Sequence, residues 1–238
     1  MHTMTDTGPD TRFARTRVAV FDAYGTLFDV AAAARHLADE IGPQWQTLSA
    51  VWREKQLQYT WLRAVMNRHT DFWSVTRDGL DYALETADLG GDAGLRQRLL
   101  DLYWQLDAYP EVPEVLRALK RKGIATAILS NGSPDMLAAA VESAGIGPLL
   151  DDVISVEDAG VFKPDFSVYR LASDRMAAFP PDIAFFSSNG WDAAGAAAFG
   201  FAVCWVNRAG APQERLPWTP DRVVADLTPL PSFLGDAA

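Results

Sequence analysis

The sequence predicts an α/β protein in which helices cover both faces of a parallel β-sheet. Three observations support this prediction. Short apolar segments rich in β-branched and aromatic residues recur along the chain, helical patterns lie between them, and the segments are nearly continuous in apolar character. A strand buried on both faces has this pattern, because neither of its faces meets water.

Six segments are predicted strands. They are RVAVFDA at 17–23, IATAILSN at 124–131, DVISV at 152–156, DIAFFSSN at 182–189, FAVCWVN at 201–207 and RVVADL at 222–227. One connecting helix should begin at Ser133-Pro134 and end near Gly145, where start and stop residues stand. Another should begin at Asp192, as a cap or a first-turn acid, and NRAGAPQERLPWTPD should be a surface loop.

The segment 31–110 has a different character, because it lacks clear strands and is rich in Trp, Leu, Arg and Gln. Its apolar residues fall near helical spacing at Val51, Leu57, Trp61, Leu62 and Val65. We therefore predict a Rossmann-like core of residues 13–30 and 111–238, with a helical cap of residues 31–110 inserted after the first strand. The polar start, MHTMTDTGPDTRFART, should be a loose tail without a signal-peptide core.

Composition narrows the classes of partner. The chain has 238 residues, of which 49% are hydrophobic and 22% charged, a balance typical of globular proteins. A formal net charge of −10 argues against nucleic acid as a partner. No apolar run is long enough to span a bilayer, and the single cysteine, Cys204, suits a reducing cytoplasm. An anionic substrate would need a locally positive pocket.

Polar side chains follow four of the predicted strands. They are Asp22 with Thr26, Ser130 with Asn131, Lys163, and Ser187 with Asn189 and Asp192. Ligands of parallel sheets bind outside the carboxyl ends of the strands, where these groups would meet. The four polar strand ends together favour a binding or catalytic site at this edge.

Each of these residues has a structural alternative. Asp22 could be a nucleophile, since covalent catalysis by aspartate is well precedented, or it could cap the turn that follows it. Thr26 could fix the Asp22 carboxylate or cap a helix. Lys163 beside Asp22 would keep the aspartate ionised by lowering its pKa, although most lysines are solvated on the surface.

The remaining polar residues are similarly ambiguous. Ser130 and Ser187 could donate to an anionic substrate or orient water, but serine is also a common turn residue, and Asn131 shares this ambiguity. Asp192 could orient Lys163 or assist a water molecule, and its alternative is a helix N-cap. Asn189 has the same two interpretations.

The motifs FDAYGTLFD, LSNG, KPDFSVY and SSNGWD stand in an order that resembles the haloacid dehalogenase superfamily. The resemblance extends from about Arg17 to Leu227. It implies a Rossmann-like core, a cap inserted after the first strand, and Asp22 as the nucleophile. Superfamily phosphatases carry a second Asp two residues later, which protonates the leaving alcohol, and carboxylates that hold Mg²⁺.

Position 24 departs from the phosphatase pattern. Tyr24 replaces the second acid, and a phenol with an unperturbed pKa of about 10 is a poor substitute for a carboxylic acid. The last motif offers Asn189 and Asp192 rather than paired acids, so hard oxygen ligands for Mg²⁺ are few. A halide leaves without a proton, so these departures favour cleavage of a carbon–halogen bond.

The pattern is most similar to the L-2-haloacid dehalogenase branch, and WREKQLQYTWLR strengthens the match. The resemblance places Arg53 opposite the nucleophile, where it could receive the halide and hold the substrate anion, although an exposed helix arginine is the usual alternative. It places Leu57, Phe72 and Trp191 around the substrate's alkyl group, with core packing as their alternative. Tyr169 would add a polar contact near the nucleophile, and the backbone amides of Ala23 and Tyr24, with Ser130 and Asn131, would hold the substrate carboxylate.

The resemblance therefore implies a cofactor-independent, metal-free, cytoplasmic enzyme that converts short L-2-haloalkanoic acids to D-2-hydroxy acids through an ester of Asp22. It also implies a homodimer formed through the tryptophan-bearing cap helices. Two alternatives are a Mg²⁺-dependent phosphatase of the same superfamily and a non-catalytic interaction module. Tyr24 argues against the first. The joint presence of Asp22, Thr26, Ser130, Lys163 and Asp192 argues against the second.

Overall fold

Six parallel strands form a single sheet in the computed structural model, which describes residues 12–235. The strands are β1 Val18–Phe21, β2 Ala125–Ser130, β3 Asp152–Ser155, β4 Ile183–Ser187, β5 Ala202–Val206 and β6 Arg222–Val224. Their spatial order is β3-β2-β1-β4-β5-β6, and every neighbouring pair is parallel. The predicted α/β class and all six strand segments are confirmed. Each strand is shorter than its predicted segment, because residues at one or both ends of the segment lie outside the strand.

Strand β1 lies at the centre of the sheet and positions the candidate site. Its last residue, Phe21, pairs with Ile128 of β2 on one side and Phe186 of β4 on the other. The chain order reverses between β1 and β4, and ligands bind at such a switch point in open α/β sheets. The residues that follow β1, β2 and β4 consequently meet at one crevice.

Ten α-helices surround the sheet in the described part of the chain. Five lie between β1 and the rest of the core: α1 Ala32–His36, α2 Ala38–Ile41, α3 Trp45–Val65, α4 Phe72–Thr86 and α5 Ala93–Trp104. The others are α6 Val112–Arg121, α7 Pro134–Ser143, α8 Phe166–Arg175, α9 Gly190–Phe199 and α10 Leu230–Phe233. The segment 31–110 is thus helical, without a strand, and its assignment as a separate cap domain stays a prediction.

Helices α3 and α4 form a tightly packed pair. Trp52 donates from Nε1 to the carbonyl of Thr76 at 2.9 Å. A Cβ on Gly79 would lie 3.1 Å from the backbone nitrogen of Gln56, so a larger residue there would require the two helices to move apart by a few tenths of an ångström. The buried face of α3 consists of Leu48, Trp52, Gln56 and Thr60, whereas Trp61, Leu62 and Val65 are exposed. The helix is therefore confirmed, but several of its apolar residues face outward.

Two other boundaries differ from the sequence-based expectation. Helix α9 begins at Gly190, two residues before the predicted start, and Asp192 lies in its first turn, which is one of the two places predicted for it. The loose-tail prediction is wrong for residues 12–16, because Phe13 is fully buried and its ring lies 5.2 Å from that of Phe233. The rest of that predicted tail, 1–11, lies outside the described residues.

The remaining local predictions agree with the structure. Helix α7 has Ser133 at its N-cap, and Gly145 follows its end with a φ of +64°, a conformation that favours glycine. The segment 207–221 lacks helix and strand and is mostly exposed, as expected of a surface loop. Among residues 12–235, none of the helices has the length and apolar character needed to cross a bilayer.

Candidate active site

Asp22 lies directly after β1, and both of its carboxylate oxygens accept hydrogen bonds. Lys163 donates from Nζ to Oδ1 at 3.1 Å. Thr26 donates from its hydroxyl to Oδ2 at 3.1 Å, and Asn189 donates from Nδ2 to the same oxygen at 2.9 Å. Asp22 is 6% exposed, so the carboxylate faces a nearly closed cleft with a fixed rotamer.

A buried charge network lies behind Asp22. Lys163 is 1% exposed and also donates to Oδ2 of Asp192 at 2.9 Å, while Tyr169 donates from its hydroxyl to Oδ1 of Asp192 at 2.8 Å. Burial opposes the charge on Lys163, but the attractions of Asp192 and Asp22 outweigh it and raise the pKa of Lys163. The ammonium group therefore stays charged, and Asp192 holds it against the nucleophile.

The turn after β1 gives the Asp22 carboxylate its direction. The carbonyl of Ala23 accepts from the backbone amides of Thr26, Leu27 and Phe28, so the chain reverses immediately after the aspartate. The backbone amide of Ser188 donates to the hydroxyl oxygen of Thr26 at 2.7 Å. Thr26 thereby joins the end of β1 to the end of β4.

The two predicted strand-end serines both take part in turns. The hydroxyl oxygen of Ser130 accepts from the amide of Gly132 at 3.1 Å, and that of Ser187 accepts from the amide of Asn189 at 3.2 Å. Asn131 accepts the backbone amide of Lys163 on Oδ1 at 3.0 Å. Each serine hydroxyl keeps its proton for donation, so these turn contacts are compatible with binding an anion or water.

Arg53 reaches from α3 to the same cleft. Its Nη2 donates to the backbone carbonyl of Tyr24 at 3.2 Å and to Oδ1 of Asn189 at 3.3 Å. Asn189 also donates to Asp22, so a single side chain separates the guanidinium group from the carboxylate. The structure thus brings a cation of α3 to the polar strand ends of the sheet.

The three predicted apolar residues occupy two different places. Leu57 and Trp191 line an open cavity of about 350 Å³ beside Asn189. Phe72 does not line that cavity; it is buried, and its ring lies 5.6 Å from the ring of Tyr24. Burial, together with the charges of Tyr103 and Asp22, raises the pKa of Tyr24 well above 10, so its phenol cannot replace a carboxylic acid.

The cleft does not fit a divalent cation of the kind that superfamily phosphatases hold. Apart from Asp22, the carboxylate in this network is Asp192, which is fully buried and already bonded to Lys163 and Tyr169. Within residues 12–235 there is no group of three or more His, Cys, Asp or Glu side chains arranged to bind a metal ion. The donor set is that of an anion site.

Sequence reasoning missed three polar residues of this region. The backbone amide of Ser188 donates to the hydroxyl oxygen of Thr26, and Gln56 contacts both Arg53 and the hydroxyl of Tyr103. Ser188 stands inside the motif SSNGWD, and Gln56 follows Arg53 by three residues inside WREKQLQYTWLR, so helical spacing could have indicated it. Tyr103 is far in sequence from any motif, so only its contact with Gln56 in the folded structure identifies it.

Comparisons with known proteins agree with this geometry. The model of the family described as haloacid dehalogenase-like hydrolase matches residues 16–200. The chain is 45% identical over 219 residues to (S)-2-haloacid dehalogenase 1 of Pseudomonas sp. strain CBS-3, covering 92% of this chain and 96% of that protein. It is 44% identical to (S)-2-haloacid dehalogenase 4A of Burkholderia cepacia, covering 83% of this chain and 86% of that protein.

A solved structure is similar over nearly the whole chain. The L-2-haloacid dehalogenase from Xanthobacter autotrophicus with chloropropionic acid covalently bound superposes with a TM-score of 0.83 and 39% identity, covering 91% of this chain and 97% of that one. The resemblance inferred from the motifs is confirmed. The chain therefore belongs to the haloacid dehalogenase-like hydrolase family, in the group that contains the (S)-2-haloacid dehalogenases.

Proposed function

We propose that this protein is a hydrolytic dehalogenase that converts short L-2-haloalkanoic acids to D-2-hydroxy acids. The observation that carries the proposal is the buried Asp22 carboxylate, which lies between Lys163 and Asn189 with Arg53 close by. Support also comes from relatives named (S)-2-haloacid dehalogenase and from the covalent chloropropionic acid in one of them.

In the first step, an oxygen of Asp22 attacks C2 of the substrate from the side opposite the halogen. The carbon–halogen bond breaks, the halide leaves with the electron pair, and Asp22 becomes an ester. Arg53 stabilises the departing halide, and the backbone amides of Ala23 and Tyr24, with Ser130 and Asn131, hold the substrate carboxylate. Leu57 and Trp191 provide apolar surroundings for the alkyl group, and the buried Phe72 supports the ring of Tyr24.

In the second step, water attacks the carbonyl carbon of the Asp22 ester. Ser187, Asn189 and Asp192, with Lys163, orient that water, and Tyr169 holds Asp192. Cleavage of the ester restores the Asp22 carboxylate and releases the hydroxy acid. Only the first step changes bonds at C2, so the configuration is inverted once.

The electrostatics of the cleft explain why two cations are needed. Substrate and Asp22 are both carboxylates, and at about 4 Å with an effective dielectric constant near 20 they repel by about 4 kcal/mol. Lys163 contacts Asp22 directly, and Arg53 lies across the cleft, so both lower this repulsion. The cations are therefore required for the approach of the substrate.

A single turnover with excess enzyme in ¹⁸O-water tests this route. The ester mechanism places the label in Asp22, because the water oxygen enters the aspartate carbonyl, whereas direct attack of water on C2 places it in the hydroxy acid. Mass spectrometry of the peptide that contains Asp22 distinguishes the two. Label found in the hydroxy acid alone would contradict the proposal.

The substitution Asp22→Asn should abolish halide release, because an amide is a poor nucleophile. Chloride release in the presence of a chelator, measured beside phosphate release with Mg²⁺, separates dehalogenase from phosphatase activity. Halide release at the wild-type rate by a folded Asp22→Asn variant would refute the role of Asp22. The same variant tests the non-catalytic alternative, which requires that no halide release depends on Asp22.

We also propose that the protein forms a homodimer through the cap. Leu62, Val65 and Met66 are exposed at the end of α3 by 47%, 88% and 58%, and Tyr82 on α4 is exposed by 42%. Leu62, Met66 and Tyr82 border a depression of about 600 Å³ on these helices, which contains none of the predicted site residues. An apolar surface of this kind marks an interaction site on many soluble proteins.

The double substitution Leu62→Glu with Val65→Glu tests the dimer, because it places charges in the apolar surface. Analytical ultracentrifugation should show a dimer for the wild type and a monomer for the variant. Glu85→Gln, at the polar edge of the depression, serves as the control and should leave the dimer intact. A monomeric wild type would contradict this proposal.

A further inference from the structure

Gln56 is a buried polar residue of the cap that has no place in the mechanism above. It lies on α3, three residues after Arg53, and is 1% exposed. Its Oε1 accepts from Nη1 of Arg53 at 2.7 Å, and its Nε2 donates to the hydroxyl oxygen of Thr76 at 2.7 Å. The hydroxyl of Tyr103 lies 3.0 Å from Nε2. Every polar atom of this buried amide therefore has a partner.

The direction of the Gln56 amide is fixed by the residue behind it. The hydroxyl of Thr76 donates to the backbone carbonyl of Phe72 at 2.8 Å. Its single proton is thereby used, so its oxygen can only accept from Gln56, and the amide must present NH₂ to Thr76. The carbonyl oxygen of Gln56 consequently faces Arg53, where it is the acceptor that a guanidinium group needs.

The contact with Gln56 is the shortest hydrogen bond of Arg53. The two bonds that Arg53 makes toward the core, to Tyr24 and Asn189, measure 3.2 and 3.3 Å, against 2.7 Å for Gln56. The close approach of Gly79 to the backbone of Gln56 anchors this part of α3 on α4. Gln56 therefore holds Nη1 of Arg53, and Nη2 of Arg53 remains directed at the cleft.

We propose that Gln56 is a positioning residue that holds the Arg53 guanidinium in the direction required to receive the departing halide. This inference rests on the proposed function, because Gln56 acts only through Arg53, and the role of Arg53 belongs to that reaction. Interactions that strengthen as the carbon–halogen bond breaks raise kcat rather than lower KM. Gln56 should therefore act on the rate of halide departure and leave substrate affinity nearly unchanged.

The ratio of the rates with a chloride and a bromide leaving group distinguishes a positioning role from a merely structural one, because a structural role would not change this ratio. Chloride is a poorer leaving group than bromide, so its departure depends more on stabilisation by Arg53. The substitution Gln56→Met keeps the length of the side chain and removes both hydrogen-bonding groups. It should lower kcat about tenfold for L-2-chloropropionate and about twofold for L-2-bromopropionate, with KM changed by less than about twofold.

The matched control is Gln58→Met, two residues further along α3, where the glutamine accepts from Lys55 and does not contact Arg53. It should leave the chloride-to-bromide rate ratio unchanged. Gln56→Glu keeps an acceptor for Arg53 but turns a second acceptor toward Thr76, so it should restore only part of the chloride rate. This variant also covers the case in which Gln56→Met does not fold. In an Arg53→Ala background, Gln56→Met should have no further effect on the ratio.

Two outcomes would overturn the inference. One is an equal loss of rate with both halides in Gln56→Met, and the other is a loss that persists undiminished in the Arg53→Ala background. Failure of the proposed function has a different signature: the wild type itself would then release neither chloride nor bromide from these substrates. Gln56→Met, Arg53→Ala and the variant that combines them, measured side by side, thus separate the role of Gln56 from that of Arg53.

Discussion

Lys163 shows at the scale of one residue how burial turns a common surface side chain into part of a site. Its ammonium group contacts two carboxylates, Asp22 and Asp192, and the side chain is 1% exposed. Removing one partner from a buried ion pair leaves uncompensated charge, which is much more costly than the loss of a surface pair. The sequence indicated Lys163 through its place after a predicted strand and through the order of the motifs.

The substitution Lys163→Met should therefore lower the free energy of unfolding by about 3–5 kcal/mol at neutral pH. Urea unfolding followed by circular dichroism measures this loss. Lys120→Met is the control, because Lys120 pairs with Asp151 at the surface, and it should cost about 1 kcal/mol or less. Equal losses in the two variants would contradict the stabilising role of the buried network.

The wild type and Lys163→Met also test a prediction about pH. The pKa of Lys163 is raised above its ordinary value of 10.5, so the folded state holds this proton more tightly than the unfolded state. The stabilisation is therefore fully present below pH 10.5 and is lost as the pH rises through the higher folded pKa. The difference in unfolding free energy between wild type and Lys163→Met should be constant at neutral pH and shrink only in strong alkali.

At the scale of the elements, α8 and α9 must pack closely for the charge network to form. Tyr169 of α8 donates to Asp192 of α9. A Cβ on Gly195 of α9 would lie 2.5 Å from the hydroxyl oxygen of Tyr169 and 2.8 Å from Cβ of Pro164. Glycine at this position lets the phenol reach Asp192, which in turn holds Lys163.

Gly195→Ala should consequently displace Tyr169 from Asp192. We expect a loss of about 1–3 kcal/mol in unfolding free energy, typical of overpacking, together with a lower kcat for halide release. Gly94→Ala in α5 is the helical control, because a Cβ there would meet first the flexible end of Arg98 at 3.2 Å. The control should be neutral or slightly stabilising, since alanine is the better helix former. An unaffected Gly195→Ala variant would contradict the packing argument.

Helix α3 shows that one element can serve three surfaces. Its buried face packs on α4 through Trp52 and Gln56, Arg53 faces the cleft, and Leu62 and Val65 remain exposed. The helical spacing of apolar residues predicted the helix correctly. It did not reveal which apolar residues are buried, because the polar Gln56 occupies a core position where its hydrogen bonds are satisfied.

At the scale of the whole molecule, the net charge opposes the proposed substrate. The formal charge of the chain is −10. The four charged groups of the cleft, Asp22 and Asp192 against Lys163 and Arg53, sum to zero, so they do not cancel the long-range field. An anion that approaches from solvent therefore experiences repulsion until it reaches the oriented donors of the cleft.

Added salt should consequently raise kcat/KM for an L-2-haloalkanoate. Ten charges on a sphere of about 20 Å radius repel a monovalent anion by about 0.6 kcal/mol more at 0.01 M than at 0.15 M ionic strength, or about threefold in rate. Sodium sulfate is a suitable salt, because added halide would act as product. The kcat value is the internal control and should change little. A fall in kcat/KM with added salt would contradict this prediction, because it would show that the attraction of Lys163 and Arg53 exceeds the repulsion by the net charge.

Much of the core followed from local patterns. The six strands and the helices between them were predicted because near-continuous apolar segments and cap residues are local signals. The grouping of Asp22, Thr26, Lys163 and Asp192 was inferred because the carboxyl ends of parallel strands share one edge of the sheet. Tyr24, in place of a second acid, indicated the kind of leaving group.

The tertiary structure decided the rest, because contacts between residues distant in sequence leave no local signal. Three features depend on how separate elements pack: the burial of Phe13, the turn contact between Thr26 and Ser188, and the hydrogen bonds that Gln56 makes to Thr76 and Tyr103. Periodicity specifies which face of a helix is apolar, but not which neighbour that face meets. The sequence by itself therefore determined which chemical groups lie at the edge of the sheet. The packing of the helices of residues 31–110 against that edge decided which further side chains reach the cleft.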